Sequence, residues 1–83
     1  MKITFAKNAT EYATQTELQQ LQESMQGFNF ESMNGFCGKL DNAPRNARVT
    51  LRRVSANTAT AQFEFQHAKH GNWVTVWATV TRD

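Results

Sequence analysis

The tightest constraint on this chain lies between residues 47 and 82, where three stretches alternate apolar and polar side chains: ARVTLRRV (47–54), TATAQFEFQH (58–67) and NWVTVWATVTR (72–82). A period of two is the signature of strands with one buried face. The connectors SAN (55–57) and AKHG (68–71) are short enough for hairpin loops, and Gly71 can adopt the positive φ that such loops demand. An antiparallel meander of three strands follows. Ala59, Ala61, Phe63 and Phe65 share one face of the middle strand, with Thr60, Gln62, Glu64 and Gln66 on the other. In the first strand Val49 and Leu51 oppose Arg48, Thr50 and Arg52. In the last, Val74, Val76, Ala78 and Val80 oppose Trp73, Thr75, Trp77 and Thr79.

A sheet with one apolar face needs a cover, and the N-terminal half supplies it. Residues 2–6, KITFA, form a short strand with Ile3 and Phe5 on one side; periodicity alone leaves its pairing partner open. Asn8 to Glu11 and Thr14 to Glu17 both have the spacing of a capping box, which places a helix start in this region. Thr14, Leu18, Leu21 and Met25 then stack along one helix stripe, and Gly27 offers a stop. The opposite side, with Gln15, Gln19, Gln20, Gln22, Gln26, Glu17 and Glu23, reads as solvated. Residues 28–40, FNFESMNGFCGKL, are ambiguous. Phe30, Met33, Cys37 and Leu40 have helical spacing, yet Gly35 and Gly38 would each cost about 1 kcal/mol in a helix interior, so a short second helix or an ordered apolar loop is expected. Pro44 and its Asx neighbours in DNAPRN (41–46) mark a turn. The expected architecture is therefore α+β, one domain over residues 1–83: an N-terminal strand and helix packed in two layers on an antiparallel three- to four-stranded meander sheet, β-α-β-β-β.

Chemistry is sparse. With Cys37 as the sole cysteine of 83 residues, no intramolecular disulfide can form, and a reducing compartment is expected. Cys37 lies among Met33, Phe36 and Leu40, where a small buried apolar role is expected rather than that of a nucleophile. His67 and His70 are spaced H-x-x-H, but zinc needs three or four ligands and only Cys37 could add another. No phosphate loop, H-E-x-x-H or nucleophile elbow occurs. The chain is expected to be no enzyme and to use no cofactor or metal. It has neither the run of about 20 apolar residues that spans a bilayer nor the apolar core of a signal peptide, so the expected location is cytoplasmic, without membrane contact.

Charge and aromatics say more. Residues 1–41 hold three lysines and five acids, for −2; residues 42–83 hold one lysine, five arginines and two acids, for +4. Trp73 and Trp77 share a face with Arg48 and Arg52 if the meander keeps register. Three arrangements account for the tryptophans: residues 28–40 fold over them, a protein partner or second copy covers them, or they stack unpaired bases while arginines hold phosphates. Glu64 and the lack of any lysine-rich run weigh against the last. The leading expectation is a small binding protein acting as a regulator or stoichiometric inhibitor of a protein or nucleoprotein target, of the size that phages and other mobile elements use against host machinery. Its partner-binding residues would be Arg45, Arg48, Arg52, Arg53, Trp73 and Trp77. The alternative is a nucleic-acid-binding module using the Arg/Trp sheet face.

Overall fold

A computed structural model describes residues 1–67 and 69–82. Six regular elements follow one another: β1 (Lys2–Phe5), α1 (Gln15–Ser24), β2 (Cys37–Lys39), β3 (Arg48–Arg53), β4 (Thr58–Gln66) and β5 (Trp73–Thr81). Short 3-10 turns at Lys7–Glu11, Phe30–Ser32 and Pro44–Asn46 join them. The class is α+β as expected, with five strands in an antiparallel sheet ordered β1-β5-β4-β3-β2.

Strands β3, β4 and β5 form the meander that alternation predicts. Val49 pairs with Phe63 and Phe63 with Val76, so one core row crosses three strands. The β3–β4 connection closes through Val54 and Ser55 N–H groups on the Thr58 carbonyl. At the β4–β5 connection Gly71 has φ +72°, and His67 N–H donates to the Asn72 carbonyl at 2.6 Å. Ala68, part of the predicted 68–71 connector, lies outside the described residues. The open question of β1 is answered by its register against β5, from Lys2 opposite Thr81 to Phe5 opposite Ala78. This pairing removes the long β-branched β5 from the sheet edge, where unpaired backbone groups invite aggregation.

Helix α1 starts where the second capping box stands. Thr14 Oγ1 accepts from Glu17 N–H at 3.1 Å and Glu17 Oε1 accepts from Thr14 N–H at 2.9 Å, satisfying two donors that a helix start leaves free. The first box, Asn8 to Glu11, is not used: those residues lie inside a 3-10 turn whose Ala9 N–H bonds to Ala6. Gly27 is not the stop either. The helix ends at Ser24, and the N–H groups of Met25, Gln26 and Phe28 make successive i→i−3 bonds beyond it.

Residues 28–40 form no second helix. Phe30–Ser32 make one 3-10 turn, and Cys37–Lys39 pair with β3 as an edge strand, Cys37 opposite Thr50 and Lys39 opposite Arg48. Gly35, at φ +85°, turns the chain so that its N–H reaches the Leu51 carbonyl. Phe36 packs edge-on against Phe28 and lies over Gly38, where a Cβ would meet its ring at 3.1 Å. Phe30, Met33 and Leu40 join Leu18, Leu21, Met25, Phe63, Phe65 and Val76 in one buried cluster on a single side of the sheet. The segment covers the core on the opposite side of the sheet from the tryptophans, which stay half-exposed.

Candidate functional site: the open sheet face

Alternation and register together map the uncovered face. Residues paired across strands point the same way, so one row runs Trp77–Gln62–Thr50–Cys37, the next Thr75–Glu64–Arg48–Lys39, and another Thr4–Thr79–Thr60–Arg52. Trp73 stands opposite Gln66 at one end. Both tryptophans are 50% exposed. Four residues apart on one strand, they form a ridge about 14 Å long. Arg48 and Arg52 form a parallel ridge two strands away, about 10 Å across. Between the ridges β4 offers a shallow polar floor of Thr60, Gln62, Glu64 and Gln66.

This face concentrates positive charge. Lys2, Lys39, Arg48 and Arg52 all lie on it, and among the described residues Glu64 is the one acid in a strand. Among the described residues none of these four cations is in an ion pair. Beside Trp77 the sheet carries a dent of about 200 Å³ lined by Thr4, Phe5, Ala6, Thr60, Ala78 and Thr79. It exists because β1 pairs with β5 and sets a row of short threonines next to a large indole. Arg52, directly opposite Thr60, stands at the end of that row.

The six residues singled out from sequence divide. Arg48, Arg52, Trp73 and Trp77 come together on the open face. Arg45 and Arg53 do not join them, because both are engaged on the covered side. The Arg45 guanidinium lies 4.5 Å over the Phe65 ring, donates to the Gln66 and Tyr12 carbonyls, and sits 2.8 Å from Glu17 without hydrogen-bond alignment. Arg53 stacks 4.6 Å over Phe30, donates to the Phe30 carbonyl at 3.0 Å and lies 3.5 Å from Glu31. Arg82 also stacks on Phe30 and pairs with Glu31. The hydrogen bond from Arg82, followed by the charges of Arg82 and Arg53, holds the Glu31 carboxyl below the usual carboxylate range.

Cys37 corrects the expectation of burial. It is exposed on the open face of β2, where Thr50 Oγ1 donates to Sγ at 3.4 Å. A helical spacing had grouped it with Phe30 and Met33; pairing with β3 instead turns it outward. His67 and His70 stack at 4.8 Å, and His67 Nδ1 accepts from the Lys69 and His70 N–H groups. Among the described residues no three His, Cys, Asp or Glu side chains converge as metal ligands, and no helix is long and apolar enough to cross a membrane. The position of Lys2 on this face and the dent escaped sequence reasoning because both depend on which strands flank the meander. No protein-family model matches this chain, and no curated protein or solved structure matches it either.

Proposed function

We propose that this is a small non-enzymatic binding protein that docks its open sheet face on a protein target, as a regulator or stoichiometric inhibitor. The observation that carries the reading is the pair of half-exposed tryptophans on a face the rest of the chain leaves uncovered. Exposed aromatic area of this kind usually marks an interaction site, and Trp with Arg dominates interface energetics. A cytoplasmic target and an origin in a phage or other mobile element accord with the single thiol and small size. The test is affinity capture with the immobilised protein. Wild type should retain one partner in stoichiometric amount, and Trp73→Ala/Trp77→Ala should lose it while keeping the amide NMR spectrum of a folded domain. Equal recovery by the folded variant rejects the surface.

A second reading, nucleic-acid binding, draws support from four cations against one acid among the described strand residues of the face that carries the two tryptophans. Bases would stack on the indoles while Arg48 and Arg52 held phosphates. Tryptophan fluorescence titration with single-stranded and duplex oligonucleotides tests it. Binding at low salt that falls steeply as salt rises supports this reading, and no binding at low salt removes it.

A further inference from the structure

We infer that the partner segment seated on the open face is an acidic peptide segment carrying one large apolar side chain, which enters the dent beside Trp77 while its carboxylates meet Arg52, Arg48 and Lys39. This rests on the protein-target reading above and adds the chemistry of the occupant. Three features converge on it. The dent is small, about 200 Å³, and lined by Trp77, Phe5, Ala6, Ala78 and three threonines, surroundings that favour a single apolar side chain. Arg52 closes the same cross-strand row, opposite Thr60, so a carboxylate beside the apolar anchor falls within its reach. Arg48, Arg52 and Lys39 are in no ion pair among the described residues, whereas Arg45, Arg53 and Arg82 each lie against a carboxylate and a phenylalanine ring of the same chain.

Two other occupants fit less well. A second copy docked face to face would offer Lys39, Arg48 and Arg52 no carboxylate from its described strands except Glu64, so most of their charge would stay uncompensated. A phosphate backbone running along β4 between the ridges would pass over Glu64, at the middle of the floor. A peptide avoids that clash by placing a neutral residue over Glu64 and its acids to the Arg52 side.

The experiment uses the full chain and four probes, followed by amide NMR and tryptophan fluorescence at low salt. The first is a blocked peptide of Glu and Asp around one Phe; the second replaces Phe by Ala; the third replaces the acids by Gln and Asn; the fourth is an oligothymidylate. The acidic Phe peptide should bind weakly, shifting Thr4, Thr60, Thr79 and the Trp77 indole. The Ala and the Gln/Asn peptides should each bind about tenfold more weakly, as loss of an anchor or of a charge pair implies. Arg52→Gln should weaken the acidic peptide severalfold and leave the Gln/Asn peptide unaffected. Equal binding of all three peptides, no shift at these positions, or binding by the oligothymidylate alone overturns the inference. Should the peptides fail while capture still depends on Trp73 and Trp77, the open-face reading stands and only the acidic-apolar occupant falls.

Discussion

The arginines of this protein follow two designs on the two sides of one sheet. Arg45, Arg53 and Arg82 lie on the covered side, stacked on phenylalanines, bonded to backbone carbonyls and paired with Glu17 or Glu31. Arg48 and Arg52 project from the other side without such partners among the described residues. The first group fastens loops to the sheet, and the second is available to a partner. A one-residue step along β3, from Arg52 to Arg53, is enough to change roles because adjacent strand residues face opposite ways.

The largest expected effect tests the same division in β4. Phe63 is fully buried, while its neighbour Gln62 faces outward opposite Trp77. Phe63→Ala should cost about 3–5 kcal/mol, through lost burial and the cavity left behind. That is a large part of the roughly 5–15 kcal/mol that stabilises a typical domain. Gln62→Ala should change stability by about 0.5 kcal/mol or less. Urea denaturation compares them, and similar losses for both would show that the outer face is packed rather than open.

Next in size is the pair Arg45→Ala and Arg52→Ala. Arg45 ties the Pro44–Asn46 turn to α1, β4 and Tyr12, and its own backbone sits at φ +52°, a left-handed conformation that a non-glycine residue adopts at some cost. Its removal forfeits two hydrogen bonds and the stacking on Phe65, about 2 kcal/mol in all. Arg52→Ala should shift the urea midpoint by no more than about 0.5 kcal/mol equivalent. If Arg52 proved as costly as Arg45, the division between fastening and available arginines would fail.

These contrasts bear on what the sequence could disclose. Face assignments in β3, β4 and β5 were legible because period-two alternation and short connectors leave one register that buries Val49, Phe63 and Val76 together. The capping box at Thr14 was legible for a local reason, but its twin at Asn8 has identical spacing and is unused. Residues 28–40 were legible as an ordered apolar segment but not as helix or loop, because Phe30, Met33 and Leu40 are core residues reached by irregular backbone whose spacing mimics a helix. Cys37 was swept into that pattern, and only the pairing of Cys37 with Thr50 turns it outward. Of the site, the Trp73/Trp77 and Arg48/Arg52 ridges could be read from alternation. Long-range pairing alone separates Arg45 and Arg53 from them and brings Thr4 beside Trp77. Cys37→Ser should therefore leave stability within about 0.5 kcal/mol of wild type, and the native thiol should react with a soluble thiol reagent as fast as a free cysteine. Slow reaction in the folded state would return Cys37 to the covered side.

The smallest effect concerns Glu31, which links the two cations on Phe30. Its folded-state carboxyl titrates below the ordinary value of 4.5, chiefly because of the hydrogen bond from Arg82 and then the charges of Arg82 and Arg53. A depressed folded pKa stabilises the native state where the carboxylate is ionised. That contribution is complete above the unfolded value and is lost as pH falls from there through the lower folded value. Solvent around this exposed pair keeps the effect small. Glu31→Gln should lower the urea midpoint slightly at neutral pH and make no difference at a pH below the folded value, so the two denaturation curves converge on acidification. The same comparison with Arg52→Gln should show no convergence arising from Glu31, since Arg52 stands on the opposite face. A gap between wild type and Glu31→Gln that stayed constant down to low pH would mean that Glu31 acts by packing rather than charge, and would remove the Arg53–Glu31–Arg82 cluster from the fastening group.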